Sequence, residues 1–415
     1  MQATVKLLSF ISRKSYNHSV TPLQVGLISN EENLMMDQTT YLSPNGQTIT
    51  HGSGTATCMR VATIEGVITL RRNTQGDPWQ KTEQILSDLH ISSLLFEPLS
   101  DKLFAGAHHG GGLWVSDDGT KKEWRQLTVG LDRPHIYTIA QRTLGKKVTL
   151  FLGAAPAALY RSNDLGESWT EMTSLRDVPD VNQWSFPPPP HIAHVKNIAF
   201  HPNEPATIFV SIEQGGLFKS MDDGESWLEI TSYSHPDDIA YRDIHRLLIH
   251  PRTPEVFYLA SGEGLFRSTN RGETWDQLTR RGDPMGYPDF LYFDPDDINV
   301  IYMAGSYRNP GYWIQVGKSE SSIMRSTDEG KNWQMLDNGF PKPVIGAFEA
   351  MGIHHWNKKT LLIIGTATGE IYTSDDAGQS WQCIADNMPA ISKDDHHIPF
   401  LPPEERADAM AKRLD

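Results

Sequence analysis

Short runs of alternating apolar and polar residues fill this chain from about residue 58 to residue 385, broken by glycine, proline and small polar residues. The unit that starts at Asp243 is the clearest. It reads DIHRLLIHP, EVFYLAS, GLFRST and TWDQLT, with turn residues between the runs. Alternation with period two over such short stretches predicts half-buried β-strands. Four strands per unit, repeated along a chain, predict the blades of a β-propeller, which hides its sheet edges by radial repetition.

The joint between the third and fourth strands recurs as S-x-[D/N]-x-G-x-x-W. It runs from Ser162, Asp164, Gly166 and Trp169 through Ser220, Asp222, Gly224 and Trp227 to Ser268, Asn270, Gly272 and Trp275. Further copies are Ser326, Asp328, Gly330 and Trp333, then Ser374, Asp376, Gly378 and Trp381. Two weaker copies come first: SDDGTKKEW (Ser116 to Trp124) has one extra residue, and RNTQGDPW keeps only Gly76 and Trp79. The seven tryptophans at these joints are 45, 45, 58, 48, 58 and 48 residues apart. Such a period, with insertions in two repeats, predicts an all-β fold: a seven-bladed β-propeller. The Asp or Asn folds back onto backbone N–H groups, glycine supplies a positive φ, and tryptophan opens the next strand.

Three segments follow. Residues 1–55 form an N-terminal decoration or closing segment around the stretch SPNGQTITHGSG, 56–395 the propeller, and 396–415 a C-terminal tail. The first blade lacks an obvious innermost strand. The last blade has four of its own, so the closing strand is assigned to the tail after Pro389, with residues 1–50 as the other source.

A length of 415 residues fits two or three ordinary domains, but propellers absorb such lengths whole. No apolar run approaches the roughly 18 residues of a membrane span, and the start MQATVKLLSFISRKS lacks the apolar core of a secretory signal. Two cysteines, Cys58 and Cys383, cannot build a disulfide framework or a zinc ribbon, and a cytoplasmic location with both reduced is expected. The net charge of −14 and the lack of a basic patch argue against nucleic acid as a partner. The partner expected is a small-molecule substrate, with no membrane and an oligomeric state left open.

Position within the repeat sorts the polar residues. His201 and His250 fall in lower turns and are expected to be structural. His90, His135 and His194 begin innermost strands on the upper face at the same repeat position, where the next blades offer Asp243 and His245, then Asp289, then Glu349. Upper loops add His108, His109, Glu213 and Glu263. Imidazoles and carboxylates converging on one funnel suit a divalent ion such as Zn, Mn or Fe. The expected metal ligands are His90, His135, His194 and His245, with Glu213, Asp243 and Lys196 as catalytic groups. A ring of residues hydrogen-bonded to loop backbone and channel water is the alternative. The insertion NQWSFPPPPHIAHVK would be stiffened by its prolines, presenting Trp184 and His191 as a wall for substrate or cofactor. A second insertion, Gly305 to Ser322, carries Tyr307, Arg308, Tyr312 and Trp313 and is expected to be a lid or an oligomer contact.

The boxes resemble the Asp-box (BNR-type) repeats of sialidases, xyloglucan-cleaving hydrolases, the sortilin propeller and photosystem II assembly factors, over roughly residues 60 to 385. PAALYRSNDLGESW, HVKNIAFHP and EQGGLFKS are similar to bacterial propellers labelled glycosyl hydrolase or exo-sialidase. The box is a turn staple, so the resemblance implies fold and not activity. The Arg-Ile-Pro motif of sialidases is absent. Xyloglucan hydrolases set two Asp between two propellers, and one propeller fits here. The expected function is a metal-dependent hydrolase or lyase with its site in the upper funnel. The alternatives are a non-catalytic assembly scaffold and a metal-free glycosidase-like enzyme.

Overall fold

The computed structural model describes residues 38–118, 123–132, 135–179, 181–186, 191–231 and 243–412. The first 37 residues and Pro187 to Pro190 of the proline run lie outside the described residues. Each repeat forms one sheet, antiparallel except for one parallel strand added in the first and in the last blade, and seven sheets form the ring of a seven-bladed propeller. The blade holding the clearest repeat has strands Ile244–Ile249, Phe257–Ser261, Gly264–Ser268 and Asp276–Gln277, from the centre outward.

The box chemistry appears as read. Asp164 accepts from the Ser168 backbone N–H at 3.0 Å and from Ser162 Oγ at 2.7 Å, while Ser162 Oγ accepts from Gly166 N at 2.9 Å. Gly166 has φ +88, which an L side chain would resist. Every one of the seven tryptophans immediately precedes its outermost strand, and Trp169 and Trp381 are buried. His201 and His250 cap lower turns, accepting from Asn203 N at 3.3 Å and Thr253 N at 2.8 Å.

Ring closure differs from the expectation. The first blade takes its innermost strand from Thr39–Leu42, which pairs parallel with Cys58–Thr63, and not from the tail. The same segment then crosses the channel. Asn45 N donates to Ser92 O at 3.0 Å and Gln47 N to Leu94 O at 2.7 Å, and Ile49–His51 pairs parallel with Ile353–His355 of the last blade. Gly46 permits the crossing, because a Cβ there would lie 2.1 Å from Leu94 O. The stretch expected as a decoration or closing segment thus acts as the closing segment and saturates inner strand edges that would otherwise face the channel unpaired.

The tail contributes differently. Ala390 O accepts from Ile64 N at 3.0 Å, and Ile391 is buried against Leu42, Val61 and Ile363. Beyond it lie a 3-10 turn, Asp395–Phe400, and helix α2, Pro403–Lys412. The second insertion forms helix α1, Pro310–Val316, capped by Asn309 and stopped by Gly317 at φ +69. Trp313 of α1 is buried against Tyr287, His396 and Phe400, so the insertion supports the tail.

Candidate functional site

Six innermost strands share one irregularity near their upper ends. Pairing with the second strand skips one residue, and the skipped residues are Ser92, Tyr137, Lys196, His245, Asp289 and Glu349. A bulge re-aims the side chain it carries. All six side chains are buried. Lys393 of the tail joins them at the first blade, its backbone N–H donating to Glu349 Oε2 at 3.2 Å.

The ring is charged and internally paired. Lys196 Nζ lies 2.7 Å from Glu213 Oε2 and 3.7 Å from Asp289 Oδ1. Lys393 pairs with Asp289 and lies 3.6 Å from Glu349 Oε1, which His396 Nδ1 approaches at 3.1 Å. Burial alone would raise the Glu213 carboxyl, yet Lys196 and then His194 hold it well below the usual range. Burial would likewise raise Asp289 and Glu349, but Lys393 leads the charges that hold both low. Lys196 stays an ammonium: burial opposes its charge, and Glu213, Asp289 and Asp243 outweigh it. Burial pushes the phenols of Tyr137 and Tyr287 up, so both remain O–H donors.

Two His and carboxylate clusters among the described residues have the geometry to hold a metal ion. In the first, one ligand atom each from Glu213, Asp243 and His245 lies within 4.8 Å of the others. The register explains the meeting. Glu213 pairs with His194 across its own sheet and with Asp243 across an isolated bridge to the next blade. His194 Nε2 is 2.8 Å from Glu213 Oε2. His245 Nδ1 donates to Pro288 O at 2.6 Å, which leaves Nε2 with its lone pair, 3.4 Å from Asp243 Oδ1. That Nε2 is buried and has no hydrogen-bond partner among the described residues.

The second cluster is His90, His109 and Asp395. His90 Nε2 donates to Ser392 O at 2.8 Å, and His109 Nε2 is 3.4 Å from Asp395 Oδ1. Burial first, then neighbouring imidazoles, push His90 and His108 down to about 3, so both rings are neutral near pH 7.

A cavity of about 790 Å3 opens on the first cluster. Glu213, Asp243, Tyr287, Asp395 and His396 give it a polar side. Phe186, Ile314, Ile398, Pro399 and Met410 give it an apolar one, and Arg281 and Asn309 also line it. The tail, expected to close the ring, supplies much of this lining. A signal existed in PEERADAMAKRL, where proline and two glutamates open a run of helix formers.

The four histidines expected at one metal are not at equivalent positions. His90, His135 and His194 occupy the start of their strands, where Asp243 is their counterpart; His245 sits two residues further, on the bulge. They divide accordingly. His90 joins His109, whose ring lies 6.3 Å from that of His135, while His194 and His245 flank Glu213. Glu213, Asp243 and Lys196, the residues expected to be catalytic, do come together. Trp184 packs 5.3 Å from Phe218 instead of facing the cavity, and His191 Nδ1 donates to Phe186 O at 2.8 Å. Among the described residues of that insertion, Phe186 lines the cavity. Glu263 pairs with Arg281, and burial raises its carboxyl. Sequence reasoning missed Lys393, Asp395 and His396.

No family model matches the chain. Xyloglucanase Xgh74A of Acetivibrio thermocellus is 24% identical over 223 residues, covering 45% of this chain and 25% of the relative. A xyloglucanase of a Paenibacillus species is 25% identical over 228 residues, 46% of this chain and 21% of its own length. The chain thus spans about a quarter of the curated relatives it matches. Among solved structures, an ancestral GH74 enzyme aligns with a TM-score of 0.54 and 16% identity, over 71% of this chain and 38% of that one. A Ycf48 propeller bound to D1 peptide aligns at 0.49 and 16%, over 78% and 92%. The chain is a seven-bladed propeller distantly similar to GH74 xyloglucanases, and the structural likeness is one of fold.

Proposed function

We propose that the chain is an enzyme of the hydrolase or lyase type whose active site is the 790 Å3 cavity, with Glu213, Asp243 and His245 holding a divalent cation at its polar side. The observation that carries this reading is His245 Nε2, buried and without a hydrogen-bond partner among the described residues, beside two carboxylates. The residues fit such an ion. Two donors of a tetrahedral zinc, at bonds of about 2.0–2.1 Å, lie roughly 3.3 Å apart; His245 Nε2 and Asp243 Oδ1 are 3.4 Å apart. The Pro288 carbonyl fixes the tautomer that presents Nε2, as partners of metal-bound histidines do.

When bound, the ion would polarise a substrate oxygen and acidify a water. The protein groups do the rest. Lys196 neutralises Glu213, His194 hydrogen-bonds it, Tyr287 offers an O–H donor, and Ile314, Ile398 and Met410 give the cavity apolar surface. A molecule with a hydroxylated or carboxylated end and an apolar body fits that lining.

A second reading has one observation in its favour. The Glu213 and Asp243 oxygens lie within 4.8 Å, close to the roughly 5 Å of carboxylate pairs in retaining glycosidases. An ionised Glu213 suits the nucleophile of such a pair, and the distant xyloglucanase similarity makes glycosides the first substrates to try.

One experiment separates the two. The purified protein is analysed for bound metals, then assayed on aryl glycosides and aryl esters before and after chelation. Activity that falls with His245→Ala and returns with added metal supports the cation reading; activity indifferent to chelator but lost in Asp243→Asn supports the second. No turnover and no saturable binding would leave neither standing.

A further inference from the structure

We propose that His90, His109 and Asp395 form a second cation site, distinct in all its ligands from Glu213, Asp243 and His245, which takes a transition-metal ion such as Zn2+ and clips the C-terminal segment onto the second blade.

Three parts of the chain meet here. His90 stands just before the innermost strand Ile91–Glu97, His109 lies in the turn that follows strand Lys102–Ala107, and Asp395 belongs to the tail. One ligand atom of each lies within 4.8 Å of the others. The 3.4 Å between His109 Nε2 and Asp395 Oδ1 already matches the roughly 3.3 Å expected between two donors of one tetrahedral zinc. His90 donates through Nε2 to Ser392 O, so in the neutral ring Nδ1 carries the lone pair.

The surroundings are rich in further nitrogen donors. The His397 ring is 6.1 Å from His90, and the His135 ring is 6.3 Å from His109. His108 packs 5.0 Å from His90 and 5.8 Å from His109 and is 4% exposed, so the site is backed by a third, buried imidazole. Imidazoles with one carboxylate suit Zn2+, Co2+ or Ni2+ far better than Mg2+ or Ca2+, which favour oxygen.

The consequence follows from where Asp395 sits. On one side is Lys393, paired with Asp289; on the other is His396, paired with Glu349 and lining the cavity. Helix α2 continues from there and lines the cavity too. An ion on Asp395 therefore fastens the segment that encloses the substrate cavity, whatever reaction that cavity serves.

The test uses the full chain after chelation and dialysis. Co2+ and Zn2+ are titrated, bound equivalents are counted by elemental analysis, and limited trypsin cleavage after Lys393 and Arg406 is followed by mass spectrometry. Wild type should bind an equivalent that His109→Ala and Asp395→Asn both lose and His245→Ala keeps. The His109 side chain is 52% exposed, so its removal leaves the fold intact, which circular dichroism checks. Zn2+ should slow tail cleavage in wild type and in His245→Ala but not in His109→Ala. Equal metal content in wild type, His109→Ala and Asp395→Asn would overturn the site, and tail cleavage indifferent to Zn2+ in wild type would overturn the clip. Because His245→Ala removes a ligand of the other cluster, failure of this proposal and failure of the catalytic reading give different patterns.

Discussion

The ammonium of Lys196 sits 2.7 Å from Glu213 Oε2 with both side chains almost wholly shielded from water. Each carries the charge the other needs. Removing one partner strands the other as an uncompensated buried ion, which costs far more than the pair itself contributes. Lys196→Met is therefore expected to destabilise the fold by about 3–5 kcal/mol in urea unfolding. Adding Glu213→Gln should recover much of that loss, since the double variant buries no orphaned charge at this pair. A double variant as unstable as the single one would mean that Lys196 acts through packing.

Acid should unfold this protein through the same ring. Asp289 and Glu349 titrate ordinarily at 3.8 and 4.5, and in the fold both are held lower, chiefly by Lys393 against the opposing effect of burial. A carboxyl depressed in the folded state stabilises it above the unfolded value, and that stabilisation disappears as pH falls below it. Stability should drop steeply from about pH 4.5 downward, and Asp289→Asn should flatten the slope. Identical acid-unfolding curves for wild type and Asp289→Asn would contradict this.

Repeat position was enough to find the blades, because Gly166 and its counterparts need a positive φ and each tryptophan marks the strand that follows. It was also enough to place Glu213, Asp243 and Lys196 on the upper face. It could not show the bulges. A bulge is a property of how two strands register, and nothing in HVKNIAF or DIHRLLI says that Lys196 and His245 are the residues skipped. For that reason the sequence alone does not separate His245 on the bulge from Asp243, the counterpart of His194. The closing strand was hidden for a related reason: Thr39–Leu42 pairs parallel to its neighbour, and a parallel partner can come from any part of the chain. Lys393 and Asp395 act through where the tail docks, which depends on Trp313 and Ile391 finding their places.

The boxes should behave as independent staples. Asp164 ties the Ser168 N–H and the Ser162 hydroxyl to one turn, much as a capping residue ties a helix end. Asp164→Ala is expected to cost about 1 kcal/mol, and Asp164→Asn less, since Asn270 already fills this position in a sister box. Chemical denaturation measures both. A loss in Asp164→Ala well beyond 2 kcal/mol would mean that the turn organises more than its own blade.

Tyr137 separates packing from polarity in the channel. Its ring stacks on His194 at 3.7 Å with 19° between planes, and meets the edge of His108 at 5.1 Å. Its hydroxyl is buried and has no hydrogen-bond partner among the described residues. A buried donor without a partner costs about 1–3 kcal/mol, so deleting it relieves a penalty instead of breaking a bond. Tyr137→Phe should therefore match or exceed wild-type stability, by up to about 1 kcal/mol, while keeping the stack. Tyr137→Ala removes the ring as well and should cost about 3–5 kcal/mol, as large aromatic deletions in packed cores do. If Tyr137→Phe instead loses more than about 1 kcal/mol, the hydroxyl has a partner worth a net hydrogen bond. The phenol would then belong to the polar ring with Lys196 and Asp289, and the view of Tyr137 as a packing residue that shields His194 would have to be given up.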